Sequence, residues 1–246
     1  MFVMRLSVII PTYYQSDLCV VHVRECMESF RVPDEIIVVN DGGDPALVEK
    51  LRQLPKKTNV IYARIREDVG FNYNGACNLG VWLSRGDALT IEDVDHIPYR
   101  SAYSDGLVIL DEQPEIGRVA YRREWVPLDH VLNKPFGQWI PYGGLGANAM
   151  VAMYRREALL DMKGQDERMR EYGWLAYDFK YRMKKLNVRC ATARGFYIVK
   201  DGSEPNINRS MSVANRRIYR ENVFRPHVHE DGGILRFTYE VERWKP

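Results

Sequence analysis

Leu6-Ser7-Val8-Ile9-Ile10-Pro11 is the stretch on which the fold turns. Its apolar run is nearly unbroken rather than alternating, which fits a strand buried on both faces, and Pro11 ends it. The pattern returns at Glu35–Val39, closed by the turn Asn40-Asp41-Gly42-Gly43-Asp44, then at Val60–Ala63 and at Ala88–Ile91. Helical segments separate these runs. Asp17 is placed to cap a helix reaching about Phe30, with Leu18, Val21 and Met27 on one side. Pro45 suits the first turn of a helix to about Leu54, and Asn72–Ser84 reads as a third. Four βα units in succession predict an α/β fold with a mostly parallel central sheet flanked by helices. Such sheets bind ligands outside the carboxyl ends of their strands. Asp41, Asp93 and Asp95 share that edge. Neither GxGxxG nor GxxxxGK[ST] occurs, which argues against a dinucleotide-binding dehydrogenase and a P-loop enzyme.

The composition narrows the partner classes. The chain has 246 residues and a formal net charge of +2, without the basic excess of a general nucleic-acid binder. Hydrophobic residues at 46% and charged residues at 28% exclude a disordered chain. Fifteen tyrosines offer surfaces that stack on ring-shaped ligands, or half-buried core. No run of 18 apolar residues exists, so no transmembrane helix is expected; docking on a membrane-bound acceptor stays open. The apolar core of the N-terminus, Leu6–Ile10, is too short for a signal peptide. Cys19, Cys26, Cys77 and Cys190 make no CxxC pair, and reduced thiols in the cytoplasm are the expectation.

The second half is less regular. Pro127, Pro135, Pro141 and the glycines at 143, 144 and 146 mark loops over 125–148. Ala149–Tyr154 reads as a strand, Arg155–Met162 as a short helix and Tyr177–Lys185 as a longer one. Val188–Thr192 and Phe196–Val199 read as a hairpin about Arg194-Gly195, and Ser212–Asn222 as a helix. The last twenty residues form a tail or a covering strand. One continuous domain is expected. It divides into a nucleotide-binding half over about 1–98, an acceptor-binding half over 99–209 and a basic extension over 210–246.

Asp93-Val94-Asp95 is the sharpest local feature. Acids at i and i+2 just past a strand end bring two carboxylates near one hard cation, Mn²⁺ or Mg²⁺, with positions left for phosphate oxygens. The bland alternative is a solvated acidic turn.

The segments Leu6–Tyr13 and Ile36–Gly42 resemble the opening of family 2 glycosyltransferases of the GT-A fold, a single Rossmann-like domain. Phe71-Asn72-Tyr73-Asn74-Gly75-Ala76-Cys77-Asn78-Leu79-Gly80 and Asp93-Val94-Asp95-His96-Ile97-Pro98 resemble the family 7 β-1,4-galactosyltransferases and the related chondroitin polymerases. Tyr142-Gly143-Gly144, the run Tyr172-Gly173-Trp174-Leu175-Ala176-Tyr177-Asp178 and Glu204-Pro205-Asn206 follow in that family's order.

The resemblance implies a soluble, metal-dependent, inverting transferase that moves a sugar from a UDP-sugar to a carbohydrate acceptor. Asp41 matches the acid that accepts from the uracil imide, or else simply caps its turn. Pro11, Thr12, Asn72, Asn74, Asn78, Gly143 and Gly144 match donor-binding positions. Asp95, with Asp93 beside it, would hold the cation against the diphosphate. Asp178 matches the base that takes the acceptor proton, with an acid stabilised at a helix start as its alternative. Trp174 and Tyr177 match the acceptor site, Trp174 being equally readable as core. Three departures stand out. Tyr177 replaces the family's Glu, Leu175 and Ala176 replace two glycines, and Tyr73 replaces an Arg. No His follows the base-bearing helix where the family has its third metal ligand; His227 and His229 are later candidates for that role. Two competing readings remain: a carbohydrate-binding homologue without turnover, and a sugar-nucleotide nucleotidyltransferase. The second lacks a Gly-rich basic loop after Pro11.

Overall fold

The computed structural model describes residues 4–68, 70, 72–146, 151–200, 212–224 and 238–246. The first four strands are β1 (Leu6–Thr12), β2 (Glu35–Asn40), β3 (Asn59–Ile65) and β4 (Ala88–Ile91). They alternate with α1 (Ser16–Met27), α2 (Leu47–Arg52) and α3 (Tyr73–Leu83). All seven residues of β1 are buried, as its unbroken apolar run requires. Alternate β1 side chains feed two layers. Val8 and Ile10 join the core under α1, while Ile9 joins Ile37, Val39 and Leu79 under α3. Gly80 lets α3 lie close to the sheet, since a Cβ there would stand 2.2 Å from Ile9 Cγ2.

The second half contains β5 (His96–Pro98), α4 (Ala102–Glu112), β6 (Ile116–Pro127), α5 (Leu128–Asn133), β7 (Gly143–Leu145) and β8 (Ala152–Arg155). It continues through α6 (Arg156–Asp161), α7 (Leu175–Lys185), β9 (Arg189–Lys200), α8 (Val213–Phe224) and β10 (Tyr239–Trp244). One sheet joins both halves in the order β10-β3-β2-β1-β4-β8-β6-β9-β5, with β7 on β6.

The sheet is mixed rather than mostly parallel. β1, β2, β3 and β4 are parallel where crossover helices connect them. β8 enters antiparallel against β4 and β6, and β10 caps β3 antiparallel. The strands of the four βα units thus make up only four of the ten described strands in the sheet. The expected hairpin about Gly195 is also absent. Residues 189–200 form one strand, parallel to β6 with a register shift between Arg122 and Arg123. A Cβ at Gly195 would stand 2.2 Å from the Tyr121 ring, so this glycine serves close packing rather than a turn. Likewise the expected loops over 125–148 contain the end of β6, α5 and β7. Asp17 does not cap α1; it pairs with Lys50 at 2.8 Å, and Gln15 holds the cap position. The covering strand at the C-terminus is present as β10.

Candidate active site

A cleft of about 1010 Å³ opens at the carboxyl edge of β1, β2 and β4. Pro11 and Thr12 floor it from the end of β1, Asp41 from the turn after β2, and Asp93 and Asp95 from the loop after β4. The facing wall is Tyr172–Tyr177, the segment that leads into α7, and Tyr13 and Tyr14 also line the cleft. Seven of the residues singled out by sequence therefore meet in one place: Pro11, Thr12, Asp41, Asp93, Asp95, Trp174 and Tyr177.

Asp41 is buried and held by Asn72, whose backbone N–H donates to Oδ2 at 2.9 Å and whose side-chain Nδ2 donates to Oδ1 at 3.1 Å. Burial pushes the Asp41 carboxyl up to about 6, although both Asn72 bonds favour the ionised form. Asn72 itself does not line the cleft; it aims Asp41. Asn74 and Asn78 turn elsewhere. Asn74 Nδ2 donates to the Asp166 carbonyl at 2.7 Å, and Asn78 Nδ2 to the Gln165 carbonyl at 2.9 Å, tying α3 to the chain before α7. Gly143 and Gly144 lie on β7 against Trp125 and Glu124, away from the cleft. A Cβ on Gly143 would stand 2.8 Å from the Trp125 ring.

The two aspartates after β4 are individually positioned. The Tyr73 hydroxyl donates to Asp93 Oδ1 at 2.6 Å. Burial pushes Asp93 up, against the opposing pull of His96 and the Tyr73 bond. His96 Nδ1 stands 2.6 Å from Asp95 Oδ1, and its Nε2 stands 3.0 Å from Arg123 Nη1. A guanidinium only donates, so in the neutral ring Nε2 accepts and Nδ1 carries the proton toward Asp95. Burial pulls His96 down, but the charges of Asp95 and Asp93 outweigh it and leave the imidazole raised. Asp93, Asp95 and His96 bring one ligand atom each within 4.8 Å of one another. Hard carboxylate oxygens on a partly open floor fit a divalent cation such as Mn²⁺ or Mg²⁺. His96 serves better as the group that orients Asp95 than as a ligand, because Arg123 occupies its other nitrogen.

Glu92 belongs to a separate layer. It is fully buried, and its Oε2 receives His22 Nε2 at 2.8 Å and the Tyr103 hydroxyl at 3.1 Å. His22 Nδ1 reaches the Val94 carbonyl at 3.2 Å, between the two aspartates. Sequence reasoning missed this pair. Its one available signal is a histidine among Val20, Val21 and Val23 on an apolar helix.

On the facing wall Trp174 has φ +67, a backbone state that bulky side chains rarely adopt. Its indole N–H is buried with no hydrogen-bond partner among the described residues. A left-handed backbone and an unmet buried donor thus coincide at this one residue of the wall. Tyr177 follows it on the wall and is 54% exposed. Asp178 is not on the wall. It is buried in the first turn of α7, with Oδ2 paired to Arg182 at 2.8 Å and Oδ1 receiving Asn222 Nδ2 at 2.8 Å. Asn222 also donates to Asp166 at 3.0 Å. Burial raises Asp166, but bonds from Arg168 and Asn222 outweigh it and hold the carboxyl down at about 2. His227, His229 and Glu204-Pro205-Asn206 lie outside the described residues.

Residues 7–162 match the family described as glycosyl transferase family 2, which is more than half of the chain. The chain belongs to glycosyltransferase family 2. No curated protein matches this glycosyltransferase in sequence. Among solved structures it is similar to the mannosyltransferase PcManGT from Pyrobaculum calidifontis, in complex with GDP-Man and Mn²⁺, with a TM-score of 0.61 and 17% identity. That similarity covers 97% of this chain and 67% of the other. It is also similar to residues 1–349 of TarS from S. aureus in complex with UDP-GlcNAc, with a TM-score of 0.66 and 15% identity over 90% of this chain and 67% of that one. Against a longer TarS structure the similarity spans 37% of that chain. These likenesses establish a GT-A-like α/β fold with a mixed sheet. Among the described residues no helix is long and apolar enough to cross a membrane.

Proposed function

We propose that this glycosyltransferase moves a sugar, with inversion, from a nucleotide-sugar to a hydroxyl of a carbohydrate acceptor, and that UDP is the donor's nucleotide. The observation that carries the reading is the meeting of Asp41, Asp93 and Asp95 on one floor beneath the aromatic wall of Trp174 and Tyr177. An ionised Asp41 accepts from an N–H of the base. Asp93 and Asp95 would hold Mn²⁺ or Mg²⁺; a cation there supplies Lewis-acid neutralisation of the departing diphosphate. Two solved relatives in complex with nucleotide-sugars, one of them also with Mn²⁺, support both assignments.

The aromatic wall closes over the sugar faces and sheds water from them, and the Trp174 N–H supplies a donor to a sugar oxygen. Asp178 is the proposed base. It takes the acceptor hydroxyl's proton as that oxygen forms its bond to the anomeric carbon and the bond to the diphosphate breaks. For that role the carboxylate exchanges its Arg182 and Asn222 bonds for the acceptor hydroxyl, a movement within the first turn of α7. Pro11 and Thr12 line the nucleotide edge, and Asn72 acts through Asp41. The resemblance to family 7 enzymes supports these assignments at Asp93, Asp95 and Asp178. We read the chain as one domain, since a single sheet joins its two halves.

A retained fold without turnover is the competing reading, favoured by Tyr177 in place of an acid. The test is release of nucleoside diphosphate from a panel of UDP- and GDP-sugars, with and without Mn²⁺ and oligosaccharide acceptors. Cation-dependent release from a UDP-sugar is expected. Tight nucleotide binding with no release from any donor would establish the non-catalytic reading instead.

A further inference from the structure

The outer face of α7 and α8 is strongly charged in a nearly neutral protein. Residues 175–189 and 212–224 hold eight basic and two acidic side chains, against a whole-chain net charge of +2. Both acids are already engaged. Asp178 pairs with Arg182, and Glu221 with Arg217 at 3.2 Å and Arg168 at 3.4 Å. Lys180, Lys184, Lys185, Arg189, Arg216 and Arg220 are exposed, and none of them has a carboxylate in ion-pair reach among the described residues. Six like charges gathered on one face repel one another and raise the local potential, which attracts an anion and falls off with salt.

This face is continuous with the cleft through a series of ring contacts, one stacked, one tilted and one edge-on. Trp174 lies 5.3 Å from Tyr177, which lines the cleft, and 5.4 Å from Tyr219 of α8, ring to ring. Tyr219 meets Tyr181 of α7 at 6.4 Å. Cations cap both ends of the series, with Arg216 5.5 Å from the Trp174 ring and Lys185 5.5 Å from the Tyr181 ring. Rings of this kind offer flat apolar faces to sugar rings, while the lysines and arginines offer charge-assisted hydrogen bonds to carboxylate or phosphate.

We propose that the α7–α8 face holds the acceptor beyond its reacting sugar, and that the acceptor is an anionic glycan bearing carboxylate or phosphate groups. The inference rests on the transferase reading and adds the acceptor's class to it. Continuity with the cleft favours a glycan over nucleic acid or lipid, because a chain lying on Tyr181, Tyr219 and Trp174 ends where sugar transfer would occur.

The test measures fluorescence anisotropy of labelled oligogalacturonate, phosphorylated dextran and unmodified dextran of similar length. The full chain is compared with K184Q/K185Q/R220Q, whose three exposed side chains make no ion pair with a described residue; the melting temperature of the variant is measured alongside, because Lys185 rests on the Tyr181 ring. The two anionic glycans are expected to bind at least tenfold more tightly than dextran, to weaken with salt, and to lose at least tenfold in the triple variant. Equal binding of dextran, an unchanged triple variant, or tighter binding of single-stranded DNA or phosphatidylglycerol vesicles would overturn the inference. Calorimetry with UDP and Mn²⁺ on the same preparations separates the two levels. Intact nucleotide binding beside failed glycan binding removes the acceptor class alone; wild-type protein that binds neither nucleotide nor glycan removes both.

Discussion

His22 and Glu92 form a fully buried pair, Nε2 to Oε2 2.8 Å, directly behind the two aspartates of the cleft floor. The same imidazole reaches the Val94 carbonyl at 3.2 Å with its other nitrogen. One ring from α1 therefore fixes both the side chain that precedes the Asp93–Asp95 loop, the proposed cation site, and the peptide in its middle. The two bonds are separable, because an Asn amide superposes on Nδ1 and a Gln amide on Nε2. H22Q keeps the Glu92 bond and releases Val94; we expect Mn²⁺ affinity to fall about tenfold, as for other groups that orient metal ligands, with little loss of stability. H22N keeps Val94 and leaves the buried Glu92 without its imidazole partner, with the Tyr103 hydroxyl still in place; we expect a loss of about 2 kcal/mol in stability with Mn²⁺ affinity better preserved. Metal titration and thermal unfolding of both variants check this. Metal affinity that merely tracks stability in the two variants would reduce His22 to a core residue.

If Asp41 meets the nucleotide base as proposed, it gives donor binding a pH dependence. Its carboxyl, pushed up to about 6 by burial, is ionised at neutral pH and neutral near pH 5. Nucleotide affinity should fall about tenfold per pH unit below that value, as the acceptor for the base N–H is lost. The stability effect has the opposite direction. A folded-state value above the unfolded one favours folding at low pH, and that contribution is lost as pH rises from about 4 through about 6. D41N should therefore weaken UDP binding at pH 7.5 while raising the melting temperature at that pH. Calorimetry and thermal scans at pH 5, 6 and 7.5 measure both, and a D41N variant that binds UDP as well as wild type would remove Asp41 from the donor site.

Asp166 carries the contrasting case. Bonds from Arg168 and Asn222 outweigh burial and hold it at about 2, below its unfolded value. Its contribution to stability is present above about pH 4 and is lost as pH falls through about 2. D166N should lower stability by about 2 kcal/mol at pH 7, with the gap to wild type narrowing in acid. Denaturant unfolding at pH 7 and pH 3 tests it, and an equal gap at both would place the effect in packing rather than charge.

The parallel half of the fold is legible because β1, β2 and β4 are buried on both faces and so read as apolar runs with little interruption. The far half is not, since β6 and β9 mix buried apolar residues with exposed charged ones without a clean period, and their pairing depends on contacts distant in sequence. Gly195 shows why. In isolation Arg194-Gly195 reads as a turn, and only the Tyr121 ring 2.2 Å from its absent Cβ reveals a strand packed too closely for a side chain. The cleft acids are legible from their place at strand ends. The supports behind them, His22, Tyr73 and Arg123, are not, because each lies far in sequence from the carboxylate or histidine it holds.

G195A follows directly from that contact. The added methyl group must displace the Tyr121 ring, which is fully buried and edge-on to Phe196 at 4.9 Å. We expect a loss of about 2 kcal/mol from overpacking. Y121L in the same background opens the space and should recover part of that loss. A neutral G195A would show that the strand shifts to accommodate the methyl group.

Asp178 decides between turnover and binding alone. Its carboxylate stands behind the cleft wall, paired with Arg182 and Asn222, one residue past Tyr177. If it is the base, D178N removes the proton acceptor while the amide keeps the Asn222 contact through its oxygen. Turnover should then fall at least a hundredfold, the usual contribution of a positioned base, with UDP affinity within about threefold of wild type. R182Q distinguishes a base from a structural anchor. It removes the ion pair but leaves the carboxylate, so it should lower stability by about 1–3 kcal/mol while retaining most turnover at low temperature. If D178N and R182Q lose activity in parallel with stability, Asp178 is an anchor of α7 and the acceptor's proton leaves by another route.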